Sequence, residues 1–181
     1  MNFLLGGGKR ALVVAFMLAL SGLSACSSND AKKADPKPVA TTSATPDQAA
    51  ADQAAVSDLV TRYWAAEVRA QNSGDDSPEQ FSDVARGGFI ERTLKSIRDA
   101  KADGVMRQGQ PEVTDIEVAV TGDTADIRAC LDEDDWIFVK DGKDLGFEKD
   151  GSGPWGAEAT RTADAWVISD VRVPPAGEKS C

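Results

Sequence analysis

Hydrophobic positions recur at helical spacing early in the chain and at a spacing of two later. Val56, Leu59, Val60, Tyr63 and Ala66 fall at i, i+3, i+4, i+7, which sets them on one helical face. Thr45-Pro46-Asp47-Gln48 fits a capping box with proline at the first helical position. The spacing predicts a helix that runs to about Gln71 and stops before Gly74. Ser77-Pro78-Glu79-Gln80 repeats the start signal. A short helix carrying Phe81, Val84 and Ala85 is expected there, up to Gly87-Gly88. A third, with Phe89, Ile90, Leu94 and Ile97, is expected to end at Gly104.

From Val105 the period becomes two. Ile116, Val118 and Val120 alternate with Asp115, Glu117 and Ala119, and Gly122-Asp123 is a two-residue hairpin signal. Pairing Thr121 with Thr124 sets Val120 opposite Ala125, Val118 opposite Ile127 and Ile116 opposite Ala129. The same register brings Glu117 to Arg128, so the apolar and charged alignments agree. Asp135–Lys140 reads as a further strand, turning at Asp141-Gly142. That pairing places Trp136 near Phe147 and Phe138 near Leu145. Asp150-Gly-Ser-Gly-Pro154 reads as a loop. Trp155–Thr162 and Ala165–Val173 form a last hairpin around Ala163-Asp164. Helices followed by an antiparallel sheet define an α+β domain, 46–181.

The preceding segment has a different character. Lys9-Arg10 leads into a 13-residue apolar stretch, Ala11 to Leu23, short of the ~20 residues that span a bilayer. A basic start, short apolar middle and small-residue end read as a signal peptide over 1–25. Leu23-Ser24-Ala25-Cys26 resembles the bacterial lipobox. That resemblance implies a lipoprotein with diacylglycerol on Cys26, exported and held at the outer face of the cell membrane. Two acyl chains suffice for stable anchoring. A soluble secreted form is the alternative. Residues 26–45 make a polar linker, with Val39 its single β-branched aliphatic, and are expected to be disordered. Fully extended, a linker of that length reaches ~60 Å.

Composition narrows the chemistry. The 181 residues include no histidine and 3 cysteines. That excludes Ser-His-Asp triads, Cys-His dyads, histidine metal ligands and four-cysteine zinc sites. Removing 1–25 takes two basic residues and no acid, leaving a net charge of −12, which repels nucleic acid and anionic headgroups. With Cys26 lipidated, Cys130 and Cys181 are left to pair as a disulfide, with free thiols or an intermolecular bridge as rivals. Gly151-Ser-Gly-Pro-Trp-Gly156 matches G-x-G-x-x-G in letters, but Pro154 and the strand-like run behind it fit a loop. Asp132-Glu133-Asp134-Asp135 departs from the calcium-loop pattern at Trp136 and Ile137, and reads as a solvated turn or a weak cation site.

A long helix bearing Tyr63-Trp64, the run Val118 to Asp132 and the closing run Ala165 to Val173 with a terminal Cys181 have a further resemblance. Together they are similar to small secreted and lipid-anchored actinobacterial proteins with a nuclear-transport-factor-2-like fold. The resemblance implies a cone of helices on a strongly curved antiparallel sheet, with a cavity between them. It implies no single function, because that fold hosts isomerases, dehydratases, binding modules and assembly domains. Its catalytic members use Asp, His or Tyr for proton transfer; no residue here aligns with those, so no catalytic residue, metal or cofactor is expected.

Tyr63, Trp64, Trp136, Phe138 and Trp155 are the candidate pocket or partner-surface residues. Trp64 equally suits the core, and Trp166, opposite Arg161, suits a structural role. Tyr63, Asp132 and Arg161 are the polar groups that could enter such a cavity. The expected function is a non-catalytic interaction or small-ligand-binding module of the envelope, taking an envelope protein or an apolar small molecule. An acid–base isomerase or dehydratase, and a structural spacer, are the alternatives.

Overall fold

Helix α1, Pro46–Ser73, buries one stripe: Asp52, Val56, Leu59, Val60, Tyr63, Ala66, Glu67 and Ala70. The computed structural model from which this is read describes residues 46–163, 165–172 and Cys181. These belong to the unit Thr41–Cys181. The expected signal peptide, linker and Cys26, together with Asp164 and Val173, lie outside the described residues.

The helix ends two residues past the predicted Gln71. Gly74 takes φ +64°, and the Asp75 amide reaches back to the Ala70 carbonyl at 3.0 Å, closing the last turn as a glycine-stopped helix does. A 3-10 turn, Pro78–Phe81, buries Phe81. Helix α2 follows, Gly88–Ala102, burying Phe89, Ile90, Leu94 and Ile97.

Among the described residues, seven antiparallel strands form two sheets. The first has order β1-β4-β5, with β1 Val105–Gly109, β4 Trp136–Lys140 and β5 Lys143–Asp144. The second has order β2-β3-β6-β7, with β2 Glu112–Thr121, β3 Thr124–Asp132, β6 Ser152–Arg161 and β7 Trp166–Arg172. On its inner face, Ala125, Ile127 and Ala129 of β3 stand opposite Ala159, Ala157 and Trp155 of β6. The four alanines are 0–1% exposed. These side chains join Val56, Leu59, Val60 and Tyr63 of α1 in one core. The segment 84–86 covers the edge of β7: Ile168 donates to the Val84 carbonyl and Arg86 to the Ile168 carbonyl, both at 2.9 Å.

The β2–β3 hairpin has the predicted register from Thr121↔Thr124 to Glu117↔Arg128. It departs at Ile116, which does not pair with Ala129. The register shifts between Thr114 and Glu117, where Asp115 adopts φ 50°. This is a bulge, in which Asp tolerates a left-handed backbone that branched residues avoid.

Two further expectations are corrected. Phe147 packs on Phe138 rather than beside Trp136, with ring centroids 5.5 Å apart. The ladder leaves register after Leu145, whose amide still bonds the Phe138 carbonyl at 2.9 Å, because Gly146 turns at φ +67°. The glycine-rich 150–154 segment is not all loop, since β6 begins at Ser152 and Pro154 pairs with Cys130. Pro154 lies beyond Gly156, where the described pairing with β7 starts, so it stands where β6 pairs on the β3 side alone among the described residues. Strand β6 follows this segment where a dinucleotide site would require a helix. The final hairpin brings Arg161 opposite Trp166, as predicted.

Candidate functional site

The interior expected to be a cavity is occupied by aromatic rings. Tyr63, 3% exposed, stacks with Trp155 at 6.1 Å and meets Trp64, Phe81 and Phe89 at 5.7, 6.3 and 6.4 Å. Trp155, 7% exposed, also packs against Trp64 at 5.5 Å. Tyr63 and Trp155 are thus core residues rather than pocket-mouth residues. Burial raises the Tyr63 hydroxyl far above the usual phenol range, and the neighbouring Glu67 adds to this. Trp64 extends the contact to Trp136 at 6.2 Å.

From Trp136 the chain of rings continues outward. The Arg107 guanidinium lies 4.0 Å from the Trp136 ring centroid and 4.1 Å from that of Phe138, a cation held between two π faces. Arg107 Nη1 donates to Glu133 Oε1 at 2.7 Å. Phe147 stands against Phe138 at the end of the series. These groups border an open groove of about 400 Å³. Its floor includes Trp136 and Phe138, its wall Arg107 and Glu133, and its rim the 144–151 segment. Of the five candidate pocket residues, Trp136 and Phe138 line this groove; Tyr63, Trp64 and Trp155 do not.

The groove wall is held by the end of α1. Trp136 Nε1 donates to Asn72 Oδ1 and Asn72 Nδ2 donates to the Gly109 carbonyl, each at 2.8 Å. Gly109 has φ +94°, and a Cβ there would sit 2.0 Å from the Asp135 carbonyl oxygen. Only glycine lets β1 end this close to the start of β4.

Sequence reading missed the most unusual ionisable group, Glu67. It is 7% exposed; its Oε1 accepts from Gln71 Nε2 at 2.9 Å, and its Oε2 has no hydrogen-bond partner among the described residues. Burial pushes its carboxyl up to about 7, with the Gln71 bond and the Arg107 charge pulling the other way. Glu67 does not line the groove. The signal for it was present, since Glu67 lies four residues after Tyr63 and three before Ala70 in the apolar stripe.

The other polar candidates go elsewhere. Arg161 forms an ion pair with Asp52, which is 5% exposed, and lies 4.4 Å over the Trp166 ring. That bond holds the Asp52 carboxyl below the ordinary range. The acidic run diverges. Asp132 accepts from the Asp134 amide, Glu133 binds Arg107, Asp134 accepts from the Gly151 amide and Asp135 pairs with Lys149. Among the described residues no group of three or more acidic or cysteine side chains is arranged to hold a metal ion. Cys130 and Cys181 form a disulfide, their Cα atoms 5.7 Å apart.

No family model matches the chain, and no curated protein matches it. Solved structures do. The intermembrane space region of the chloroplast protein ARC6 shares 15% identity over 67% of this chain and 95% of its own, with a TM-score of 0.52. A protein from Kribbella flavida shares 17% over 69% and 90%, with a TM-score of 0.49. A protein of the nuclear-transport-factor-2-like family from Streptomyces avermitilis shares 21% over 69% and 94%, with a TM-score of 0.42. The likeness is one of fold. Helices packed on antiparallel sheets are the architecture this chain shares with the ARC6 region.

Proposed function

We propose that this chain is a non-catalytic interaction module of the bacterial envelope, exported, anchored through diacylglyceryl-Cys26, and binding a protein partner along the groove beside Phe138. One observation carries the reading. The space that would hold a substrate is filled by Tyr63, Trp64 and Trp155, while an aromatic groove of about 400 Å³ opens on the outside. A buried, filled cone favours a surface role over an enclosed reaction. It also argues against carriage of an apolar ligand within the cone.

Acid–base isomerisation or dehydration is the second reading. It is favoured by Glu67, whose carboxyl is raised to about 7, where a general base works well. Against it, Glu67 does not line the groove, and a base must reach its substrate's proton.

The test is purification of the full-length protein from host membranes, as wild type and as Phe147→Asp. The expected result is a protein partner held by the wild type and lost from the variant. Equal retention by both, or an apolar small molecule held by both, would overturn the groove reading.

A further inference from the structure

The groove carries charge that its own side chains leave uncompensated. Five acids and two bases line it. Both bases are engaged, Arg107 with Glu133 at 2.7 Å and Lys149 with Asp135 at 3.3 Å. Asp144, Glu148 and Asp150 are exposed and make no ion pair among the described residues; Asp144 Oδ1 only accepts from the Gly146 amide at 2.8 Å. Leu145 and Phe147, between these acids, are 42% and 67% exposed, the two large hydrophobics exposed among the described residues. The side chains that most need covering thus alternate with carboxylates that most need a cation.

We infer that the groove takes an extended, basic segment of the partner protein, its lysine or arginine side chains lying on Phe147 and ending at Asp144, Glu148 and Asp150. This rests on the partner-binding reading above and names the chemistry of the partner. Arg107 already displays the mode within the protein: a guanidinium laid on two rings with a carboxylate at its end. A second cation on Phe147 repeats that arrangement one ring further out. An apolar ligand would cover Phe147 but take nearby carboxylates out of water without a partner. An anionic ligand or headgroup is repelled. An extended main chain, rather than a free polyamine, follows from β5. It is the terminal strand of β1-β4-β5, and among the described residues no strand pairs with its other side, which suits an added strand.

The test uses the full-length lipidated protein in detergent micelles and a fluorescein-labelled (Lys-Gly)4 peptide, followed by anisotropy. Spermine and (Glu-Gly)4 are compared. Binding of (Lys-Gly)4 is expected, weakened at least tenfold in the D144N/E148Q/D150N variant and about fivefold in Phe147→Ala. The D47N/E91Q/D170N variant changes net charge equally on exposed sites elsewhere and should leave binding within twofold. Equal loss in that control would mean diffuse attraction to an acidic protein and would overturn the inference. So would absence of peptide binding, or spermine binding as tightly as the peptide. If the peptide fails while Phe147→Asp still releases the co-purified partner, the groove remains the partner surface and its basic preference alone falls.

Discussion

Glu67 occupies a position in the α1 stripe that an apolar residue would fill without desolvating a charge. Its carboxyl, raised by burial to about 7 against an ordinary 4.5, binds a proton more tightly folded than unfolded. Stability from this group is therefore greatest below the unfolded value and is lost as pH rises through about 7. The loss between those limits is about 3 kcal/mol. Glu67→Gln should remove it, stabilising the protein at pH 8 and doing little at pH 5; urea unfolding of both proteins at both pH values checks this. Asp52 has the opposite sign. Its bond to Arg161 lowers its carboxyl, so its contribution holds above the unfolded value and is lost as pH falls through the folded one. Both acids lie on the helical stripe, Asp52 four residues before Val56 and Glu67 four after Tyr63. Their burial was legible as charged interruptions of an apolar face. The charges that act on them, Arg107 on Glu67 and Arg161 on Asp52, were not, because both arginines come from strands whose placement on α1 is a tertiary fact.

At the scale of elements, local signals fared well where two of them agreed. The β2–β3 register was readable because a turn dipeptide, an apolar alignment and the Glu117–Arg128 pair all required it. It failed at Asp115, where a lone Asp inside an alternating run does not set a bulge apart from an ordinary exposed strand position. The glycine-rich start of β6 misled for the converse reason: its composition is that of a loop, and pairing with β3 overrides it. The glycines at turns and crossings separate by what surrounds them. Gly142 has φ +72° with nothing within 4 Å of an added Cβ, so Gly142→Ala should cost about 1 kcal/mol for the backbone alone. Gly109→Ala also meets the Asp135 carbonyl and should cost at least ~2 kcal/mol, loosening Trp136 and the groove wall. Urea midpoints and tryptophan emission distinguish the two. The Cys130–Cys181 bridge closes a sequence separation of 51, worth about 4 kcal/mol in the chain-entropy picture. Intact mass should rise by two hydrogen atoms on reduction, with a lower unfolding midpoint; equal masses would contradict the pairing.

For the whole molecule, the fold class followed from the order of helical and alternating periods, while the state of the cone did not. Whether rings fill or line a space depends on how the helices and the sheets pack together, and that is a tertiary fact. Of the five candidate-site residues, Tyr63, Trp64 and Trp155 pack against one another inside, and Trp136 and Phe138 border the groove. Arg107, which holds the groove wall, carried no sequence signal. The anchoring proposal belongs to this scale too. Cys26→Ala should move the protein from the membrane to the soluble fraction, and an unchanged membrane fraction would count against diacylglycerol attachment.

The central claim is that this domain works through an external groove while its interior is closed. Photo-cross-linking in intact host cells tests it most directly. A photoreactive residue at position 147 on the rim is compared with one at 119, an exposed position on β2, and one at 63 in the core. The account predicts a discrete protein adduct from 147, none from 119, and only intramolecular product from 63. An adduct to a small molecule at 63, with none at 147, would contradict it.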